Sequence, residues 1–419
     1  MNTHASYSPA RSNPRMAAVQ AARAARRERL PLPARIVLGV LRGIEHGRLV
    51  VRLPDGSEHA FGHGAAAAEL EVHDWSTFGA ALASGDIGFG EAYMRGYWSS
   101  PDLAGLLGLF AANRDMTERA ADGGFWGKVA HRARHLLRAN TRAGSRRNIA
   151  AHYDLGNDFY ALWLDPSMTY SSALFEGDRS RTLEQAQRAK YERILRRIAP
   201  RAGAHILEIG CGWGAFAELA AREYGCRVTG ITLSREQLAY AEARIARAGL
   251  ADRVRLELRD YRDVAGQYDH VVSIEMVEAV GERYWPAYFG VLARTLAPGG
   301  VALVQAITIA DRSFARYRAG TDFIQRHIFP GGMLPSPRRF REEAARRSLA
   351  VAGEHAFGRD YAETLRRWRQ AFMRRLPEVY ALGYDPHFAR KWEFYLAYCE
   401  AGFDTLCTDV HQFELVHAA

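Results

Sequence analysis

The sequence predicts an α/β protein whose main part is a parallel sheet with helices on both faces. Two observations carry this. From about residue 150 to 419, apolar stretches at 204–209, 227–232, 254–259, 270–275 and 300–308 alternate with helix-period stretches, the pattern of βαβ units. The first stretch runs through Ile206-Leu207-Glu208-Ile209 directly into Gly210-Cys211-Gly212-Trp213-Gly214. In such an E-x-G-x-G-x-G turn the backbone comes close to a ligand and a Cβ would obstruct it. A helix over about 215–224 follows and turns its N-terminus toward that ligand. Ligands of such sheets sit beyond the carboxyl ends of the strands, so the other strand ends show what else reaches the site.

Four segments precede or make up this plan: a tail (1–28), a small α+β accessory domain (29–118), a basic helical linker (119–149) and the main domain (150–419). In the first 30 residues Arg11, Arg15, Arg23, Arg26, Arg27 and Arg29 oppose a single acid, Glu28, which reads as a disordered basic tail or a short surface-seeking helix over 16–29. In the small domain, 48–53 is a strand and Pro54-Asp55-Gly56-Ser57 a turn. A return strand begins at Glu58, and 69–73 is a third candidate. Asp74 or Ser76 caps a helix to about Leu82, a second begins at Asp86, and a third runs over 102–112. Within the linker, residues 131–147 carry Arg132, Arg134, Arg138, Arg142, Arg146 and Arg147 with no acid, a solvated helix or a face for anionic phospholipid.

The chain is long enough for two or three domains with a substantial core. Its 419 residues carry a net charge of +9, nearly all of it on arginine, since Lys128, Lys190 and Lys391 are the only lysines. Such a chain is drawn to anionic partners. No recognised DNA-binding motif accompanies the charge, and an N/D-P-P-Y-type motif is absent, so nucleic acid is not an expected partner. Cys211, Cys226, Cys399 and Cys407 show no metal-ligand spacing and read as reduced thiols. With no apolar run of spanning length and no signal-peptide pattern, a cytoplasmic protein is expected.

The strand ends supply the candidate site. After the second strand, Thr232, Ser234 and Gln237 replace the acid of a dinucleotide fold. Ser234 with Gln237 forms a capping box, and Gln237 also suits a ribose. After the third strand, Asp260-Tyr261 pairs an acid for an adenine amino group with a flat ring. After the fourth, Glu275 and Glu278 stand three residues apart beside a buried strand, where carboxylates are seldom idle.

This combination resembles class I S-adenosylmethionine methyltransferases. Segments 151–160, beginning Ala151-His152-Tyr153-Asp154, and 164–175, with Tyr170-Ser171-Ser172, are similar to motifs of the cyclopropane-fatty-acyl-phospholipid synthase family. So are 323–336, with Phe329-Pro330-Gly331-Gly332, the stretch 360–365, and the aromatic tail 392–403. The resemblance covers about 150–415. It implies a Rossmann-like domain with a mostly parallel seven-stranded sheet. It also implies methylene transfer from S-adenosylmethionine to the double bond of a phospholipid acyl chain, giving a cyclopropane. The protein would lie peripherally on the inner face of the cytoplasmic membrane, with a homodimer as an option.

The resemblance assigns residues as well. The cofactor would meet Tyr170, Ser171, Gly210, Gly212, Thr232, Gln237, Asp260 and Tyr261, its carboxylate lying on amides of the glycine turn. Phe323, Ile324, Ile328, Phe329, Met333, Leu334, Trp368, Phe372, Phe394, Tyr395 and Tyr398 are candidates for an acyl slot, although each is also an ordinary core residue. Methylating an alkene leaves a carbocation, so water must be excluded and a base must stand near the new methyl. In the family a bound bicarbonate is that base. Its holders carry over to the Ser172 amide, Glu278, Gln305, the Ile307 amide and Tyr361. Ser172 stands where many members have Cys, and Gln305 where many have His. Glutamine donates to an anion but does not titrate, so a methyl- or methylene-branched chain is the alternative product.

Overall fold

The computed structural model describes residues 30–65, 67–114 and 155–418. The tail 1–28, the linker 119–149 and the motif residues His152 to Asp154 lie outside these. The small domain begins with a helix, Leu32–Leu41. Its sheet contains β1 (Arg48–Arg52), β2 (Glu58–Gly62), β3 (Ala67–Val72) and β4 (Trp98–Ser99) in the order β2-β1-β3-β4, with β1 antiparallel to β2 and parallel to β3. The β1–β2 turn forms as its residues require, with Asp55 accepting from the Ser57 N–H at 2.9 Å. The two expected helices after Asp74 form within Ser76–Met94 and meet at a kink at Gly85 (φ 58°, ψ −131°). Asp74 accepts from the Ser76 N–H at 2.7 Å. Asp102 caps the third helix, Leu103–Ala112, by accepting from the Gly105 N–H.

The main domain carries a seven-stranded sheet. Its strands are β5 (His205–Ile209), β6 (Arg227–Thr232), β7 (Val254–Leu258), β8 (Tyr268–Ile274), β9 (Leu296–Ile309), β10 (Leu349–Ala356) and β11 (Thr408–His417), in the order β10-β11-β9-β8-β5-β6-β7. The pairs β5–β6, β6–β7, β5–β8 and β8–β9 are parallel, and β11 runs antiparallel to both β9 and β10. The five strands visible in the sequence are all present. β11 was hidden because both of its faces are buried and carry polar residues, His411 on one and Gln412 and Glu414 on the other. These meet Thr308, Gln305 and Arg197, so the polar groups are satisfied rather than exposed.

Two other elements place site residues. The helix Leu183–Ile198 starts in a capping box between Thr182 and Gln185 and buries Gln187, Lys190, Tyr191, Ile194 and Leu195. This is one helical stripe, and it sets a lysine on the core side. The helix Gly358–Arg374 buries Tyr361, Leu365, Trp368 and Phe372 in the same manner.

The two domains share one apolar cluster, built largely of aromatic rings. Phe394, on the helix Pro386–Asp404, stacks 4.6 Å from Phe323 and 5.7 Å from Tyr93 of the small domain. Gly90 permits this approach, since a Cβ there would lie 2.6 Å from Phe323 and 2.9 Å from Phe394. Tyr93 donates to Glu393 at 2.6 Å and Tyr398 to Asp86 at 2.9 Å across the same seam. Phe394 is 1% exposed, so Phe394→Ala is expected to cost about 3–5 kcal/mol of stability, read by denaturant unfolding. A residue lining an empty acyl slot would cost far less.

Candidate active site

Beyond the carboxyl ends of β5, β6 and β8 lies a cleft of about 960 Å³. The glycine turn forms one wall. Gly210 (φ 88°) and Gly214 (φ 84°) hold left-handed conformations that suit glycine, and a Cβ on Gly214 would lie 3.1 Å from Ala241 Cβ. The Gly210 and Cys211 amides both donate to Ile231 O, and the Gly214 amide to Cys211 O. Those three amides are therefore committed to the turn, and the expected carboxylate contact with the glycine turn does not fall on them. Trp213 Nε1 donates to Asn157 Oδ1 at 2.7 Å, tying the second wall segment to the turn.

Of the residues expected around the cofactor, Tyr170, Ser171, Gly210, Gly212, Thr232, Gln237 and Tyr261 line this cleft; Asp260 does not. Both Asp260 oxygens are engaged by the Arg262 side chain, at 2.8 and 2.6 Å, so the acid is held by its own neighbour. Only half of the expected capping box forms. Ser234 accepts from the Gln237 N–H, whereas Gln237 Oε1 accepts from the Thr232 hydroxyl at 2.9 Å, which keeps both side chains at the cleft wall.

Glu208 was overlooked in the sequence although it opens the glycine motif. It lines the cleft and is 3% exposed. Its Oε2 is buried without a hydrogen-bond partner among the described residues. An unsatisfied buried carboxylate is costly, and the ammonium group of S-adenosylmethionine would satisfy it. The cleft therefore fits this cofactor, which when bound supplies an electrophilic methyl group on a sulfonium.

The second half of the site surrounds Glu275. Its Oε1 accepts from the Ser172 N–H at 2.8 Å and from Gln305 Nε2 at 2.7 Å, and its Oε2 from the Tyr361 hydroxyl at 2.7 Å. The Ser172 hydroxyl turns away to Ala173 O, so a Ser in place of Cys leaves the amide contact unchanged. The Gln305 amide has one workable orientation. Arg193 can only donate, and it donates to Gln412 Oε1; Gln412 Nε2 then donates to Gln305 Oε1 at 2.9 Å. The Gln305 NH2 is thereby aimed at Glu275. Glu278 Oε1 accepts from the Ile307 N–H.

All five residues expected around bicarbonate are thus brought together, but the anion at their centre is the Glu275 carboxylate. Glu275 was visible in the sequence only as the unassigned member of a pair. Nearby, Lys190 Nζ donates to Ser171 Oγ at 2.6 Å and Gln187 Oε1 at 2.7 Å. Burial pulls the lysine down to about 7, opposed by the negative Glu275, Asp165 and Glu208. Burial raises Glu275, while Lys190 and the Ser172, Tyr361 and Gln305 donors oppose the rise.

The expected acyl-slot residues lie elsewhere. Phe323, Ile328, Phe329, Met333 and Phe394 do not line the cleft. Phe323, Ile328 and Phe394 are core residues of the aromatic cluster, with Phe329 packed against it, and Met333 belongs to the core beneath the sheet. Tyr395 alone reaches a cleft residue by hydrogen bond, its hydroxyl lying 2.7 Å from that of Tyr170.

Comparison with known proteins follows from this geometry. Residues 140–413 match the mycolic acid cyclopropane synthetase family. The chain belongs to this family. It is 42% identical over 350 residues to the tuberculostearic acid methyltransferase of Mycobacterium tuberculosis, covering 79% of each chain. To the cyclopropane-fatty-acyl-phospholipid synthase of Escherichia coli it is 34% identical over 350 residues, covering 81% of this chain and 86% of the relative. A solved mycolic acid cyclopropane synthase, complexed with SAH and CTAB, superposes with a TM-score of 0.61 at 33% identity, covering 64% of this chain and 97% of that one. The methyltransferase is accordingly an S-adenosylmethionine-dependent C-methyltransferase that modifies lipid acyl chains.

Burial, and then the Glu275 charge, push the Glu278 carboxyl up to about 8, against the Ile307 N–H that favours its ionised form. A carboxyl raised above its unfolded value of 4.5 binds a proton more tightly in the folded state. Its stabilisation is complete below pH 4.5 and is lost as pH rises through about 8. Glu278→Gln is expected to remove this part of the decline, so melting temperatures of variant and parent should converge at acid pH and diverge toward pH 8, the variant falling less.

Proposed function

We propose that this methyltransferase adds a methyl group from S-adenosylmethionine to the double bond of an unsaturated acyl chain in a membrane phospholipid. The observation that carries the reading is the pairing of the two half-sites. The cleft that suits the cofactor carries an unsatisfied buried acid, Glu208, and its wall also includes a held carboxylate, Glu275. An alkene needs a strong electrophile on one side and, once it has become a cation, a base without bulk water on the other. The E. coli relative named as a phospholipid synthase supports the headgroup-bearing substrate.

Ring closure to a cyclopropane is the product we assign first. A methyl- or methylene-branched chain is a second reading with an observation of its own. Gln305 is locked as a donor and cannot carry a proton away, and the 42%-identical relative is named a tuberculostearic acid methyltransferase. A cyclopropane and a methylene branch share the cation and differ in whether a hydride moves before the proton is lost; a saturated methyl branch needs a further two-electron reductant.

The arginine-rich segment 132–147 and the absence of a membrane-spanning helix among the described residues suit attachment to an anionic bilayer surface, which we propose as the place of action.

Expression in a bacterial host lacking its own synthase, followed by lipid mass spectrometry, is expected to show phospholipids heavier by one CH2. Proton NMR then separates a cyclopropane from an exocyclic methylene; lipids of unchanged mass despite bound cofactor would refute the reading. Binding to anionic vesicles should weaken as salt is raised past about 0.15 M, where the Debye length falls below ~8 Å. Salt-independent sedimentation with vesicles would remove the electrostatic attachment.

A further inference from the structure

Three donors from three separate elements end on the Glu275 carboxylate: the Ser172 amide from the wall segment, Gln305 from β9, and Tyr361 from the helix Gly358–Arg374. The remaining two groups expected to hold bicarbonate, Glu278 and the Ile307 amide, are bonded to each other. Three of the donors that an external anion would need, the Ser172 and Ile307 amides and the Tyr361 hydroxyl, are therefore taken. A bicarbonate pressed against Glu275 would also meet a like charge. Bicarbonate does not fit this site as it stands.

The backbone gives an independent sign that the side chain is held there for a purpose. Glu275 directly follows β8 with φ 50°, a left-handed conformation that costs a non-glycine residue about 1–2 kcal/mol. Glycine would relieve that strain, and residues kept in such conformations concentrate at functional sites. Glu275 also forms part of the cleft wall, alongside Gly210 and Met276.

We propose that Glu275 is the general base of the reaction, a carboxylate built into the chain at the place where a bound bicarbonate would otherwise act. The inference rests on the alkene-methylation reading above. The alkene π pair bonds the methyl carbon while the C–S pair stays on sulfur, leaving S-adenosylhomocysteine and a carbocation. Oε2 of Glu275 then takes a proton from the added methyl. The freed C–H pair closes on the cationic carbon as the third ring bond. When a hydride has first moved from the methyl-bearing carbon, the same pair forms C=CH2 instead. A carboxylate has about four acceptor positions; three are occupied here, and the one left on Oε2 receives the proton. Burial raises the Glu275 carboxyl and so strengthens the base, while Lys190 and the three donors act in the opposite sense, toward its ionised form.

The test compares the parent, Glu275→Gln and Glu275→Gly on phosphatidylglycerol vesicles with cis-monounsaturated chains, in carbon-dioxide-depleted buffer with and without added bicarbonate. Parent turnover should be the same in both buffers. Glu275→Gln should lose about a hundredfold or more in turnover, the scale of a lost general base, while still binding S-adenosylhomocysteine. Glu275→Gly, with its cradle emptied, should regain about tenfold or more when bicarbonate is added, on the same scale. Isotope-labelled bicarbonate should bind this variant and not the parent by NMR. Parent turnover that requires bicarbonate, labelled bicarbonate bound to the parent, or a Glu275→Gln variant within about threefold of the parent would each overturn the proposal. Should either variant fail to fold by circular dichroism, the two parent measurements still decide. Parent enzyme that methylates no lipid would refute the function, whereas bicarbonate binding reports on the cradle alone.

Discussion

A buried carboxylate that must be satisfied organises the catalytic half of this enzyme. Leaving the charge of Glu275 unpaired inside the fold would cost several kcal/mol or force it to take a proton. The chain satisfies it with a wall-segment amide, a strand side chain and a helix hydroxyl, with Lys190 supplying opposite charge through the same buried region. Each contact fixes one element against β8. Gln305 is bonded twice, since its backbone oxygen also accepts from the Glu275 N–H at 2.8 Å. The β8–β9 register thereby decides where the carboxylate stands.

The donors are themselves held from behind. Arg193 and Gln412 orient Gln305. Thr364 accepts from the Ala173 N–H at 3.1 Å, and Asp360 accepts from Phe175 and Glu176, pinning the segment that carries Ser172 onto the helix of Tyr361. Such backing reduces reorganisation when charge develops, which is how preorganised polar groups assist a reaction.

The aromatic layer does a different task from the one its sequence suggests. Phe323 and Phe394 bind the small domain to the main one, through Gly90, Tyr93 and Trp98. The cleft itself is lined by polar groups such as Ser171, Glu208 and Gln237 together with apolar and aromatic ones such as Met168, Trp213 and Met276. An apolar run next to a lipid-handling motif reads as substrate surface, yet burial of large rings is the commonest use of such residues, and here the packing partner is another part of the same chain.

Local chemistry made much of this protein legible from residue order. The glycine turn, the apolar strand stretches and the turn residues Pro54 to Ser57 act over a few residues, so the parallel strands and the strand-end residues Thr232, Ser234 and Gln237 could be read directly. So could the set Ser172, Glu278, Gln305, Ile307 and Tyr361, through resemblance. Three matters were decided only by folding. Asp260 was claimed by Arg262 two residues away, although it might equally have faced a ligand. β11 needed partners on two strands to bury its polar residues. Glu275 and Glu278 are adjacent turns of one short segment and differ in sequence by nothing that assigns a role. It was the convergence of groups 30, 86 and 103 residues distant that placed one of them at the centre of the site. Hydrogen bonding across such separations depends on the positions of whole elements, which the order of residues does not display.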